Sequence, residues 1–158
     1  AKFKFVRRGL SRSGRSFVYG GMGLVIRLVV AAGLVVDAVV HWIYAPDMAY
    51  VQGGAISGEL LFQVQAAVAG VAAVVVLVVG SRWAYALGFV VAGSAVGALL
   101  LYHYVDVGAL GPLPDMYDPI WYTEKWLSLV GEGIATVAAA AGFALAGRAR
   151  EREPEPVG

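Results

Sequence analysis

Four apolar runs, residues 23–44, 58–79, 83–105 and 126–146, fill most of this 158-residue chain. Each is close to the roughly 20 residues that an α-helix needs to cross a hydrocarbon core about 30 Å thick. Backbone N–H and C=O groups have no water to bond in lipid, so runs of this kind must satisfy them internally, as helices. The expected fold is therefore all-α, a transmembrane four-helix bundle with up-down topology. Composition agrees: 59% hydrophobic residues and a mean hydropathy of +0.73 leave too little polar surface for a water-soluble domain of this size.

Charge is unevenly spread although the net charge is only +1. Lys2, Lys4, Arg7, Arg8, Arg12 and Arg15 precede the first run, Arg82 lies between the second and third, and Arg148, Arg150 and Arg152 follow the fourth. The other two connections hold Asp47, Asp106, Asp115, Asp118 and Glu124 against Lys125. The positive-inside rule then expects a multi-pass protein of the cell membrane with both termini cytoplasmic. Residues 1–16 read as a basic cytoplasmic arm beside anionic lipid, 17–147 as the transmembrane domain, and 148–158, with prolines among alternating charges, as a disordered tail. Arg27 and Asp37 inside the first run mark it as a retained anchor, not a cleaved signal. Arg27 stands about 15 Å from Asp37 along a helix, too far to pair, and is expected to snorkel to the interface.

The chain has no cysteine, which excludes disulfides and thiolate metal sites. Its glycines form no strand-to-helix phosphate-binding loop and no serine has a histidine at helical spacing, so neither nucleotide binding nor nucleophilic catalysis is indicated. A catalytic role is not expected, nor is nucleic-acid binding.

Ionisable groups inside lipid are costly and usually functional. Asp37 and His41 are one helical turn apart on the first run; Glu124, Ser128, Glu132 and Thr136 recur every fourth residue on the fourth; Glu59 and Gln63 share a face of the second, with Gln65 on another. Asp37, Gln63, Gln65 and Glu132 fall at comparable depths, roughly 9 to 12 Å in at 1.5 Å per residue, with His41 and His103 nearer the outer surface. The economical arrangement turns these groups inward, forming an outward-facing polar pocket lined by Asp37, His41, Glu59, Gln63, Gln65, His103, Ser128 and Glu132. Gly93 with Gly97, and Ala66 with Gly70, supply small-residue steps suited to close helix approach.

The two outer hairpins echo each other. His41 precedes Pro46, Asp47, Met48 and Tyr50, and His103 precedes Pro114, Asp115, Met116 and Tyr117, which suggests a 2+2 internal repeat about an axis along the membrane normal. Pro114, Asp115, Met116, Tyr117, Trp121 and Tyr122 suit either a lid over the pocket or a surface for another membrane protein. Aromatic residues including Trp42, Tyr44, Tyr104 and Trp126 suit an interfacial belt.

Three functions fit these residues. The first is a non-catalytic membrane subunit or accessory protein, part of a larger membrane complex, whose polar cluster fixes helix packing. In the second, His41 and His103 ligate haem b or a divalent metal, with Asp37 orienting His41 and Met48 or Met116 offering thioethers to copper. The third makes Asp37 and Glu132 the titrating groups of a small proton-coupled transporter or quinone-reactive subunit. The passage 111–126, with Pro112, Pro114, Asp115, Met116, Tyr117, Asp118, Pro119, Trp121, Tyr122, Glu124, Lys125 and Trp126, resembles the outer loop of uncharacterised small four-span membrane proteins of high-GC actinobacteria. Residues 59–66, with Glu59, Gln63 and Gln65, are similar to their second-helix start. That resemblance implies topology alone.

Overall fold

A computed structural model describes residues 3–51 and 53–150, with side chains described for 21–51 and 53–148. The side chains of the basic arm and residues 151–158 of the expected tail lie outside the described residues. The order is α1 (Phe3–Tyr44), a 3-10 turn (Pro46–Tyr50), α2 (Gly58–Val79), α3 (Arg82–Tyr104) and α4 (Thr123–Arg150). Among the described residues the one β feature is an isolated bridge between Leu110 and Leu113. Four spans are long and apolar enough to cross a membrane: Gly21–Tyr44, Gly58–Val79, Arg82–Tyr104 and Thr123–Arg148.

Local chemistry sets most helix ends. Pro46 cannot continue the hydrogen-bond ladder of α1 and opens the 3-10 turn instead. Ser57 caps α2 by accepting from Leu60 N at 3.2 Å, and Ser81 caps α3 by accepting from Ala84 N at 3.3 Å. Between them Gly80, at φ +55°, ends α2 in the left-handed conformation that glycine adopts without cost. Helix α4 runs past its expected limits at both ends. It starts just after the proline-rich loop, and it includes residues 148–150 that were expected in the disordered tail. No proline lies between Ala138 and Arg150, and the alanines there favour a helix despite Gly142 and Gly147.

Helix α1 packs against both α2 and α4, α3 packs against α4, and the diagonal pairs barely meet. The ring order is thus α2, α1, α4, α3. Exchanging α1 with α3 and α2 with α4 preserves that order, yet α1 and α4 pack closely while α2 and α3 are much looser.

The two ends of the bundle differ. Toward the α2–α3 turn the interior is an apolar core of small and branched residues, including Val30, Leu34, Ala69, Ala72, Ala73, Val76, Ala84, Ala135 and Ala139, with Tyr85 among them. Helices α1 and α4 approach closely where a Cβ on Gly33 would stand 2.8 Å from the Cβ of Ala135 and collide with the Gly131 carbonyl. The small-residue steps expected at Gly97 and Gly70 face open space, and a Cβ on Gly93 would meet Thr136 at an ordinary 3.5 Å. Leu24, Leu28, Val64, Val71, Val78, Val90, Val130 and Val137 point outward on all four helices, the apolar surface a bilayer would cover.

At the other end the two long connections are tied together. Ile56 N donates to the Pro112 carbonyl at 3.0 Å, and Asp118 N to the Tyr102 carbonyl at 3.0 Å. Lys125 Nζ donates to the Asp118 carbonyl at 2.6 Å and to its Oδ2 at 2.8 Å.

Candidate metal centre

Asp37 is fully buried on α1, seven residues before the helix ends. Gln65 on α2 donates from Nε2 to Asp37 Oδ2 at 2.8 Å. One turn further along α1, His41 Nδ1 lies 2.6 Å from Asp37 Oδ1 and 3.0 Å from the Asp37 carbonyl. The ring directs Nδ1 toward the carbonyl, so Oδ1 receives no hydrogen bond of acceptable geometry despite the short approach. The imidazole also packs against Phe62, with centroids 4.7 Å apart.

Glu132 faces this pair from α4. It is 1% exposed, and neither carboxylate oxygen has a hydrogen-bond partner. One ligand atom from each of Asp37, His41 and Glu132 can be chosen so that all lie within 4.8 Å of one another. Two carboxyl groups buried side by side, with no hydrogen bond to either Glu132 oxygen and with Asp37 Oδ1 met by His41 Nδ1 alone, must be neutralised by protons or by cations. His41 supplies at most one positive charge.

Above the group a cavity of about 770 Å³ opens between the halves of the helices nearer the two long connections. His41, Gln65, Ser128 and Glu132 line its floor; Leu61, Phe62, Ala95, Ala98 and Leu99 form apolar walls. Its roof is built from the two connections. Met48 and Asp47 come from the first; Leu113, Asp115, Met116, Tyr117, Asp118 and Tyr122 come from the second. The paired Pro-Asp-Met stretches therefore both fold over one space, although the first is a 3-10 turn and the second is irregular. Tyr44, Glu124 and Lys125 complete the rim.

Not every expected residue lines the cavity. Gln63 donates to Glu59 Oε1 at 3.2 Å, a pair on a part-buried face of α2 away from the lining. Gln65, about 200° around the helix from Gln63, is the α2 residue that reaches the centre. His103 is 6% exposed, with Nδ1 3.2 Å from the Asp118 carbonyl and its ring 4.0 Å from that of Trp121. Trp121 in turn stacks on Trp126 at 4.4 Å. His103 thus anchors the second connection to α3, and it is not in the Asp37, His41, Glu132 group. Pro114 is fully buried inside the roof.

Two loop groups carry shifted pKa values. Burial acts to raise the Asp118 carboxyl, but the Lys125 ammonium bonded to it and the Ile120 N–H hold it below the ordinary carboxylate value. Burial, and then the neighbouring Asp118 charge, push the Tyr122 phenol up to about 12.

Fold and site together define a class: a four-helix bundle of membrane-spanning length with a buried acid and histidine cluster at the floor of a capped cavity. Comparison with protein families, with curated proteins and with solved structures finds no match to this chain.

Proposed function

We propose that this is a membrane-embedded divalent-cation-binding protein in which Asp37, His41 and Glu132 hold one ion. The observation that carries the reading is Glu132: a carboxylate 1% exposed, with both oxygens unpartnered, aimed at a second buried carboxylate and an imidazole. A network serving only to fix helix packing would satisfy its own acceptors, because each buried unbonded group costs about 1–3 kcal/mol. A cation satisfies them together. Ligand atoms within 4.8 Å of one another need only small side-chain rotations to reach the roughly 3.4 Å spacing of a tetrahedral shell with metal–ligand bonds of about 2.1 Å. The mixed nitrogen and oxygen set suits Zn²⁺, Mn²⁺ or Fe²⁺. Asp47 and Asp115 in the roof and Glu124 at the rim, beside the paired Asp118 and Lys125, favour the approach of cations.

The reading assigns binding, not a reaction. Ser94 Oγ, on the cavity wall, donates to the Val91 carbonyl, and Thr136 Oγ1, one turn beyond Glu132, donates to the Glu132 carbonyl, so both hydroxyl protons are used within their own helices. With the alanine and valine core beyond them, this supports a bound ion over a through-route.

The charge distribution supports cytoplasmic termini in the cell membrane and a cavity facing outward. A carboxy-terminal reporter that works only outside the cytoplasm is expected to be inactive, and activity would reverse the orientation.

Metal content and the visible spectrum of detergent-purified protein test the reading. One equivalent of divalent metal is expected after loading with Zn²⁺, and none in Asp37→Asn, His41→Ala or Glu132→Gln. Retention of metal by His41→Ala, or failure of the folded wild-type protein to take up any ion, would overturn it. A Soret band that requires both His41 and His103 would replace it with haem ligation.

A further inference from the structure

The cavity is much larger than the ion needs. A water molecule's share of liquid volume is about 30 Å³, so a cation with one or two waters leaves most of about 770 Å³ vacant for something else. That volume lies within the roughly 300–1,000 Å³ range of small-molecule sites. Its chemistry is divided. Leu61, Phe62, Ala98 and Leu99 make the walls apolar, whereas the floor presents His41 and Glu132.

The three protein ligands are arranged unequally about the centre. Asp37 is fully buried behind the floor and fixed by Gln65, whereas His41 and Glu132 line the cavity itself. An ion held by three side chains keeps a coordination position free for a further ligand. The cavity offers an open approach to that position, whereas the α1–α4 interface on the other side is closely packed where Gly33 meets Gly131 and Ala135.

Resting on the metal reading, we propose that the cavity binds a neutral, lipid-soluble compound with a carbonyl or hydroxyl head and an apolar body. The head oxygen completes the ion's coordination, and the body lies along the α2 and α3 walls. A free anion would meet the acidic rim, while a small polar ligand would leave the walls uncovered. An uncharged amphiphile matches both.

Cobalt-loaded protein in detergent reads this directly, because the Co²⁺ visible spectrum responds to a change of ligand. Octanohydroxamic acid and acetohydroxamic acid are the probes: both are neutral when free and both coordinate through oxygen, but only the first has an apolar body. In wild-type protein, octanohydroxamic acid is expected to shift the spectrum at a concentration at least tenfold below acetohydroxamic acid. In Ala98→Phe, which fills the space between the walls, the Co²⁺ spectrum should persist and that advantage should vanish. Ala95→Leu provides a second filling if Ala98→Phe does not fold. Equal potency of the two probes in wild-type protein, or an advantage that survives both fillings, would overturn the proposal while leaving the metal reading intact. Absence of any Co²⁺ spectrum in folded wild-type protein would overturn the metal reading, and this proposal with it.

Discussion

Gln65 Nε2 donates to Asp37 Oδ2 at 2.8 Å, joining α1 to α2 across 28 positions of sequence. It is the hydrogen bond to the Asp37 carboxylate that fixes how the ligand is presented, since the other carboxylate oxygen has none. Groups that orient a metal ligand typically change affinity by about 10- to 100-fold when removed. Gln65→Ala is therefore expected to weaken Zn²⁺ binding by about that factor, and to cost about 1–2 kcal/mol in stability without metal. Isothermal titration and detergent unfolding measure the two effects separately. An unchanged affinity would remove Gln65 from the centre.

The α1–α4 contact predicts a contrast among glycines. A methyl group on Gly33 collides with Gly131 and Ala135, whereas one on Gly70 or Gly97 meets nothing within 4 Å. Gly33→Ala should lose about 1–3 kcal/mol through overpacking. Gly70→Ala and Gly97→Ala should be neutral, or more stable by up to about 1 kcal/mol from helix propensity. Unfolding of the three variants in one detergent gives the comparison.

Gly80 combines two constraints. Its φ of +55° disfavours a side chain, and any Cβ there would overlap the Arg27 guanidinium, which lies against this end of α2. Cationic groups are favoured at a helix C-terminus by its dipole. Gly80→Ala should lose more than the about 1–2 kcal/mol of left-handed strain alone. Adding Arg27→Ala should restore the part due to overlap and leave the strain. A double-variant cycle in which the two losses simply add would show that Arg27 is not held there.

The roof should respond to pH at both extremes. Asp118 has a lowered pKa when folded, so near pH 4 the unfolded chain binds more protons there. Its contribution is present above the ordinary value of 3.8 and lost as pH falls through the lowered one. Tyr122 is raised to about 12 from 10.0, so the folded state binds more protons between those values and stability falls as pH climbs from 10 toward 12. Asp118→Asn should flatten the acid limb of a stability profile and Tyr122→Phe the alkaline limb. Solvent exposure of both groups keeps these effects small.

Helix number, spans and the inward placement of Asp37, His41 and Glu132 were all legible, because each follows from local quantities: run length, four-residue spacing and the cost of charge in lipid. The choice between Gln63 and Gln65 was not. Both are polar residues on one apolar helix, and only the rotation of α2 against α1 decides which meets Asp37. The small-residue steps misled for the same reason: Gly97 and Gly33 look alike in sequence, and the neighbouring helix distinguishes them.

The histidines show where sequence stops. Both sit near the end of an apolar run ahead of a Pro-Asp-Met stretch, and symmetry suggested one role for both. Tertiary structure gave them different partners. His41 shares a buried site with two carboxylates on α1 and α4, while the Asp118 carbonyl and the Trp121 ring occupy His103. The sequence by itself determined that the chain forms four membrane-length helices with buried charge at a common depth, since helix formation and burial cost depend on the residues along one segment. Which charges share a centre, and that a capped cavity lies above them, depended on the loose α2–α3 packing and on how the connections fold back, contacts set by residues far apart in the chain.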